Sequence, residues 1–314
     1  MQLVVTQLFI ASIHVVNLKY ATRSCTWSGQ RSFMRRFRNR TKEILGKGGI
    51  AYGAYVTIDS PLLIETIGAC GFDFAMIDVE AIGPCPYDSN SLGNLIRACE
   101  LYDMTSLIRV PENNSSMILK AFTLGAQGVV VAHCKTARDA RLMVQYSLYP
   151  PLGYRGVAPS RGLHDIAMEL SEYVEQANRE TLVIPLIEDR EGVDNLEEIL
   201  SVPGIDAIFL GPGDLSVSLG HPGEMAHAQV VEYLSRARAI CKAKGKCLMD
   251  LALEKNDAEK RVMEGARLLI LHDDVFFIYQ SMKATLEQIR EGASSALERL
   301  DKTDARSKPP KRGA

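Results

Sequence analysis

Two short acidic stretches, Leu186-Ile187-Glu188-Asp189 and Gly211-Pro212-Gly213-Asp214-Leu215-Ser216, carry the residue types best suited to chemistry. Each carboxylate follows an apolar run, Leu182 to Ile187 in one case and Ala207 to Leu210 in the other, so Glu188 and Asp214 are expected at the carboxyl ends of buried strands. Parallel α/β sheets place their chemistry at that end. Two carboxylates with few basic residues between the strand ends suit a hard divalent cation such as Mg²⁺, which keeps waters and accepts substrate oxygens. Glycines on both sides of Pro212 let backbone N–H groups approach a small anion closely. The competing reading is structural: each acid caps the helix that follows it.

The elements that must position these acids alternate along the chain. From Gly48 onward, short apolar runs are followed by longer helical patterns, the signature of repeated βα units around a parallel sheet. Strands are expected over 51–56, 72–78, 106–110, 128–132, 182–187, 207–210, 247–251 and 268–271. Helical patterns fall over 91–102, 116–124, 136–146, 171–178, 193–200, 226–244 and 275–298, and Ser60-Pro61 opens a further helix that ends near Gly71. Eight units in about 250 residues is the size of a (β/α)8 TIM barrel. Pro185 counts against a central strand, because it lacks a ladder donor. The stretch from Tyr149 to about His164 is too rich in proline and glycine for a mere connector, and long loops in compact domains are often functional.

Composition narrows the class. The chain has 314 residues, 46% hydrophobic and 24% charged, with a net charge of −2, which argues against nucleic acid or an anionic membrane as the main partner. Seven cysteines, odd in number and without a CxxC, argue against a disulfide framework or a cysteine zinc site and for a cytosol-like compartment. Residues 1–42 contain no acid and eight bases, from Lys19 to Lys42. Three readings stand for this extension: a mis-started or disordered segment with Met34 opening the chain, a mitochondrial transit segment, or a secretory leader. The expected organisation is therefore this extension over 1–42, a barrel domain over 43–300 and a disordered Lys, Arg and Pro-rich tail over 301–314.

Several stretches together resemble the HpcH/HpaI group of metal-dependent class II pyruvate aldolases. They are Gly71-Phe72-Asp73, Ile77-Asp78-Val79-Glu80, Ile108-Arg109-Val110-Pro111, Gly125-Ala126-Gln127-Gly128-Val129, Tyr149-Pro150-Pro151 with Gly153 and Arg155-Gly156, Tyr173 with Ala177-Asn178, Ile187-Glu188, and Gly211-Pro212 with Asp214-Leu215-Ser216 and Leu219-Gly220. The resemblance runs from about Ala54 to Asp274. It implies Mg²⁺ or Mn²⁺ held by Glu188 and Asp214, and a 2-oxo acid chelating that ion with its carboxylate against the N–H groups of Gly213 and Asp214. It also implies that Arg109 stabilises the enolate oxygen, a role for a fixed and always charged donor. In the family the last helix is exchanged between subunits of a trimer or hexamer. The apolar stripe Val275, Ile278, Tyr279, Met282, Leu286 and Ile289 is compatible with that.

This chain departs from the family pattern at informative places. The histidine that normally follows Asp-x-Glu, and works with Asp78 as base or proton shuttle, is Ala81. The glutamine two residues before the metal glutamate is Leu186. After the fourth strand stands Ala132-His133-Cys134-Lys135, and a histidine there is similar to the macrophomate-synthase-like decarboxylating branch. His133 is either a satisfied loop histidine or a substitute acid or base.

The expected function is a metal-dependent carbon–carbon lyase acting on a 2-oxo acid through a Mg/Mn-stabilised pyruvate enolate, cytoplasmic unless the basic extension is a transit segment. Loss of CO₂ from oxaloacetate needs only the electron sink, so an oxaloacetate decarboxylase or bond-forming enzyme is the first alternative. A non-catalytic relative, motivated by Ala81 and Leu186, is the second. Glu188, Asp214 and Arg109 converging on one pocket with a histidine within reach favours an enzyme; a site filled by Leu186 and its apolar neighbours favours decay.

Overall fold

In the computed structural model, eight parallel strands close into a barrel in chain order. The structure describes residues 38–81, 83, 88–158 and 169–307, with side chains as far as residue 300. The strands are β1 Ala51–Val56, β2 Phe74–Asp78, β3 Thr105–Val110, β4 Gly128–Val131, β5 Leu182–Ile187, β6 Ala207–Leu210, β7 Cys247–Leu251 and β8 Ala266–Asp273. All eight lie where the apolar runs place them. β5 accommodates Pro185 by pairing with β4 over Leu182 to Pro185 and with β6 only beyond it, at Leu186 and Ile187.

Local chemistry starts and stops the helices. Ser60 caps Pro61–Ala69 with proline in the first turn, Asn114 caps Ser115–Leu124, and Thr136 with Asp139 forms a reciprocal capping box on Ala137–Ser147. Gly125, at φ 109°, supplies the left-handed residue that ends Ser115–Leu124. The helical pattern over 193–200 resolves into two short helices, Arg190–Asp194 and Leu196–Leu200, that meet at Asn195.

Most strand residues are buried on both faces. Outward side chains such as Ile77, Ile108, Val129, Val183 and Ile208 pack beneath the helices, while Phe74, Met76, Leu107, Val130, Ile184, Leu186, Phe209, Met249 and Leu268 fill the interior. Each such side chain contributes about 1.5–3 kcal/mol when fully buried. Glycine makes room where the interior is tightest: a Cβ on Gly53 would lie 2.1 Å from the Phe74 ring, and one on Gly128 would lie 2.6 Å from Leu107.

The amino end of the barrel is closed by the helix Arg40–Gly46. Asn39 caps it and donates to the carbonyls of Gln127 and Glu180, Arg40 donates to Asp73 at 2.8 Å, and Ile44 and Leu45 pack on the interior cluster. This helix spans the boundary drawn at residue 43, so Asn39 to Lys42 are part of the barrel. The rest of the basic extension, residues 1–37, lies outside the described residues, as do Cys25, Cys85, His164 and the tail from residue 308. The last helix runs from Asp274 to Ser307, into the stretch expected to be a disordered tail, because no proline or glycine interrupts 293–307. No described helix is long and apolar enough to cross a membrane.

Candidate active site

Strand alternation builds the site. Every second residue of a strand faces the same side, and the inward set of β2 runs Phe74, Met76, Asp78. By the same count β1 ends inward on Tyr55, β3 on Arg109, and β5 runs through Ile184 and Leu186 to Glu188 just past its end. Above Thr105 at the amino end the interior is apolar until its last layer, at the carboxyl ends of the strands, where Tyr55, Asp78, Arg109 and Glu188 stand.

Asp78 and Arg109 are register partners on β2 and β3. Asp78 is fully buried, and Oδ1 accepts from Arg109 Nε at 3.0 Å and from the Glu80 N–H at 2.8 Å. Oδ2 accepts from the Tyr55 hydroxyl at 2.9 Å, and Arg109 Nη2 donates to the same hydroxyl oxygen. Burial alone would raise the Asp78 carboxyl, but the hydrogen bond and charge of Arg109, with the Glu80 N–H and Tyr55, hold it below the usual carboxylate range. Arg109 is correspondingly driven further toward its charged form: burial works against it, and Asp78, Tyr55 and Glu80 outweigh burial. Burial pushes the Tyr55 phenol above its ordinary value. The result is a guanidinium fixed from two sides, with its Nε also 3.0 Å from Glu80 Oε2.

Beside it lies an acid cluster. Glu188 is 3% exposed, and its Oε1 accepts from the His133 N–H at 2.8 Å and lies 3.0 Å from His133 Nδ1. His133 Nε2 is 3.6 Å from Glu80 Oε1, so the imidazole spans the two glutamates. It reaches this position from a left-handed backbone, φ 57°, which turns its N–H toward Glu188. One donor atom each from Glu80, His133 and Glu188 lies within 4.8 Å of the others, a set able to hold a metal ion. Burial raises Glu188; His133 opposes the shift, and the carboxylates of Glu80 and Asp214 add to it. Glu80 is also raised, by burial first, against the pull of Arg109 and His133 and with the push of Asp78 and Asp214. Gly211 makes space for the glutamate: a Cβ there would lie 2.7 Å from Glu188 Cβ.

Asp214 stands exposed on the first turn of the helix Pro212–Ser218, close enough for its charge to act on both glutamates but outside the tight Glu80, His133 and Glu188 group. That helix has no side-chain cap, and Gly213 and Asp214 occupy first-turn positions whose N–H groups lack intrahelical acceptors. A Cβ on Gly213 would meet nothing within 4 Å, which leaves open space over its backbone.

Sequence alone leaves two of these residues unassigned. Glu80 stands inside the Asp-x-Glu stretch, and its position two residues past Asp78 was the available signal. Tyr55 is inward by parity on β1, a signal that needed the strand's phase. Leu186 belongs to the interior layer beneath Glu188 rather than to the polar layer itself. Arg155 lies away from the barrel mouth, buried with its guanidinium over the Phe122 and Tyr149 rings at 4.4 and 4.5 Å, and it braces the loop there.

Comparison with known proteins gives consistent results. A family model described as HpcH/HpaI aldolase/citrate lyase matches residues 51–274. A 2-keto-3-deoxy-L-rhamnonate aldolase of Escherichia coli O17:K52:H18 is 30% identical over 254 residues, covering 81% of this chain and 94% of that one. Among solved structures, the citrate synthase SbnG is 33% identical with a TM-score of 0.74, over 81% of this chain and 98% of its own. Macrophomate synthase is 25% identical with a TM-score of 0.72, over 83% and 90%.

Proposed function

The chain belongs to the HpcH/HpaI aldolase/citrate lyase family, and from that premise we propose how its barrel mouth works as the active site of a divalent-metal-dependent carbon–carbon lyase acting on 2-oxo acids. The observation that carries the reading is the meeting, in one layer, of a fixed guanidinium at Arg109 with the acid cluster around Glu188. The donor set fits a hard cation, because a buried glutamate with two further carboxylates acting on it is an excess of negative charge that such an ion neutralises. Glu188 and Asp214 would hold Mg²⁺ or Mn²⁺, with Glu80 and His133 beside them. When bound, the ion supplies Lewis-acid polarisation of the 2-oxo group.

The chain's own residues do the rest. Backbone N–H groups of Gly213 and Asp214 bind the substrate carboxylate. Arg109, held by Asp78 and Tyr55, aims a donor at the oxygen on which negative charge develops as the C3–C4 bond of a 4-hydroxy-2-oxo acid breaks. In that step the C4 hydroxyl loses its proton, an aldehyde leaves, and the bonding pair passes into the enolate of pyruvate, which is then protonated at C3. His133, which spans Glu188 and Glu80, takes the hydroxyl proton on its imidazole, in the place of the side chain that Ala81 lacks. Asp78 is a positioning residue here, since its oxygens are occupied by Arg109, Tyr55 and the Glu80 N–H.

A second reading, decarboxylation of oxaloacetate with or without formation of a new carbon–carbon bond, is favoured by one observation: Ala81 removes a proton carrier that decarboxylation does not need. The two are separated by assaying oxaloacetate loss and 4-hydroxy-2-oxo acid cleavage side by side with Mg²⁺, Mn²⁺ and a chelator. Cleavage restored by metal supports the aldolase reading; turnover of oxaloacetate alone supports the second; turnover of neither overturns both. The outer face of the last helix, with Tyr279, Met282, Leu286 and Ile289 exposed, supports a homo-oligomer, trimer or hexamer, in which this helix packs on a neighbouring subunit.

A further inference from the structure

A second group of metal-ligating side chains lies on the loop between the helices Pro212–Ser218 and Ala228–Ala243. His221, Glu224 and His227 recur at every third position, and one donor atom from each lies within 4.8 Å of the others. The backbone fixes this arrangement. His221 N–H donates to the Ser216 carbonyl at 2.8 Å, Glu224 N–H to the His221 carbonyl at 3.0 Å, and His227 N–H to the Glu224 carbonyl at 2.9 Å. The buried Ser216 hydroxyl accepts from Gly223 N–H at 3.0 Å and donates to the Gly213 carbonyl at 2.6 Å, which ties the loop to the first turn of the preceding helix.

The two imidazoles stack with centroids 3.4 Å apart and planes 20° apart. Face-to-face stacking is the less favoured arrangement of two rings, so one imidazole can turn out of the stack at little cost, as it must for an ion to lie in the plane of both. His221 Nε2 lies 3.1 Å from Gln229 Oε1. With the amide oxygen accepting, the ring proton sits on Nε2 and the Nδ1 lone pair is left free, the outer hydrogen bond by which a metal-ligating imidazole has its tautomer fixed. His227 Nδ1 accepts only a long contact, 3.3 Å, from the Gln229 N–H.

We propose that His221, Glu224 and His227 form a binding site for a borderline transition-metal ion of the zinc class, distinct from the hard-cation site at the barrel mouth. Imidazole nitrogens select Zn²⁺, Ni²⁺ or Cu²⁺ over Mg²⁺, which demands oxygen ligands. Two imidazoles and a carboxylate make a zinc ligand set that leaves the fourth position to water. The competing account is that His227 serves only as the helix cap and His221 as its stacked neighbour. The proposal does not depend on the lyase reading.

The test uses the full chain, stripped with chelator and dialysed against Zn²⁺ in an excess of Mg²⁺, with bound zinc counted per chain. The wild type and Glu188→Gln are expected to share one zinc equivalent that both His227→Asn and Glu224→Gln lose. Asparagine caps a helix well, so His227→Asn is expected to melt with the metal-free wild type and to lose only the zinc-induced rise in Tm. Equal zinc in wild type, His227→Asn and Glu224→Gln, or none in the wild type, overturns the site.

Discussion

Asp78 and Arg109 stand side by side in the β2–β3 register, with Nε donating to Oδ1 at 3.0 Å, where the barrel interior turns from apolar to polar. The carboxylate fixes a guanidinium whose position the proposed chemistry depends on. Asp78→Asn keeps the shape but removes the charge, and is expected to lower kcat by about 10–100-fold with a smaller change in KM, as loss of an orienting group does. Steady-state kinetics of Asp78→Asn, Arg109→Lys and the double variant check this. Strongly non-additive losses are expected, because both changes act on one unit.

Arg109→Lys retains a cation but cannot hold Asp78, the Tyr55 hydroxyl and a substrate oxygen together, since an ammonium lacks the planar fork. A fall in kcat of about 10²–10³ is expected, the scale for removal of a donor to a developing oxyanion. Kinetics with the 4-hydroxy-2-oxo acid substrate measure it, and near wild-type kcat would remove Arg109 from the mechanism.

Much of this site is legible in the sequence. The eight strands follow from apolar runs of four to seven residues between helical patterns, and Glu188 and Asp214 follow from standing at or just past the ends of such runs. Arg109 and Asp78 came from motif resemblance, and their pairing follows only from the register of β2 with β3. His133 could be named but not oriented, because its contact with Glu188 depends on a left-handed φ that sequence does not dictate for histidine. Tyr55 is hidden by phase, because which side of the sheet it faces is fixed by closure of the barrel, and Glu80 lies past the end of β2, where strand alternation no longer sets its direction. The helix that plugs the amino end was masked by its basic composition, although Asn39 carries a plain capping signal.

Acid stability offers an independent view of the Asp78 contact. Its carboxyl is lower in the folded chain than the unfolded value of about 3.9. The stabilisation from this contact is therefore fully present above that unfolded value and is lost as pH falls through the lower folded one. The gap in unfolding free energy between wild type and Asp78→Asn is expected to be constant from neutral pH to about 5 and to narrow below about 4. Chemical denaturation across this range measures it.

Gly211→Ala tests the space around Glu188. The added Cβ would lie 2.7 Å from Glu188 Cβ and 3.3 Å from Oε2, so the glutamate must shift. We expect a cost of about 1–3 kcal/mol in stability and weaker binding of Mn²⁺, read by thermal melting and by metal titration. Unchanged metal affinity would place the ion away from Glu188.

Met282→Glu with Ile289→Glu puts two charges on the exposed stripe of the last helix without touching the barrel. Sedimentation is expected to show a smaller species than the wild type. An unchanged assembly would mean that subunits meet elsewhere.

The central claim, a metal-dependent lyase centred on Glu188, is tested most directly by pyruvate release from a 4-hydroxy-2-oxo acid by wild type and Glu188→Gln, each stripped with chelator and reloaded with Mg²⁺ or Mn²⁺. The account predicts turnover that returns with metal in the wild type and stays abolished in Glu188→Gln. Metal-independent release, or equal release from both proteins, would contradict it.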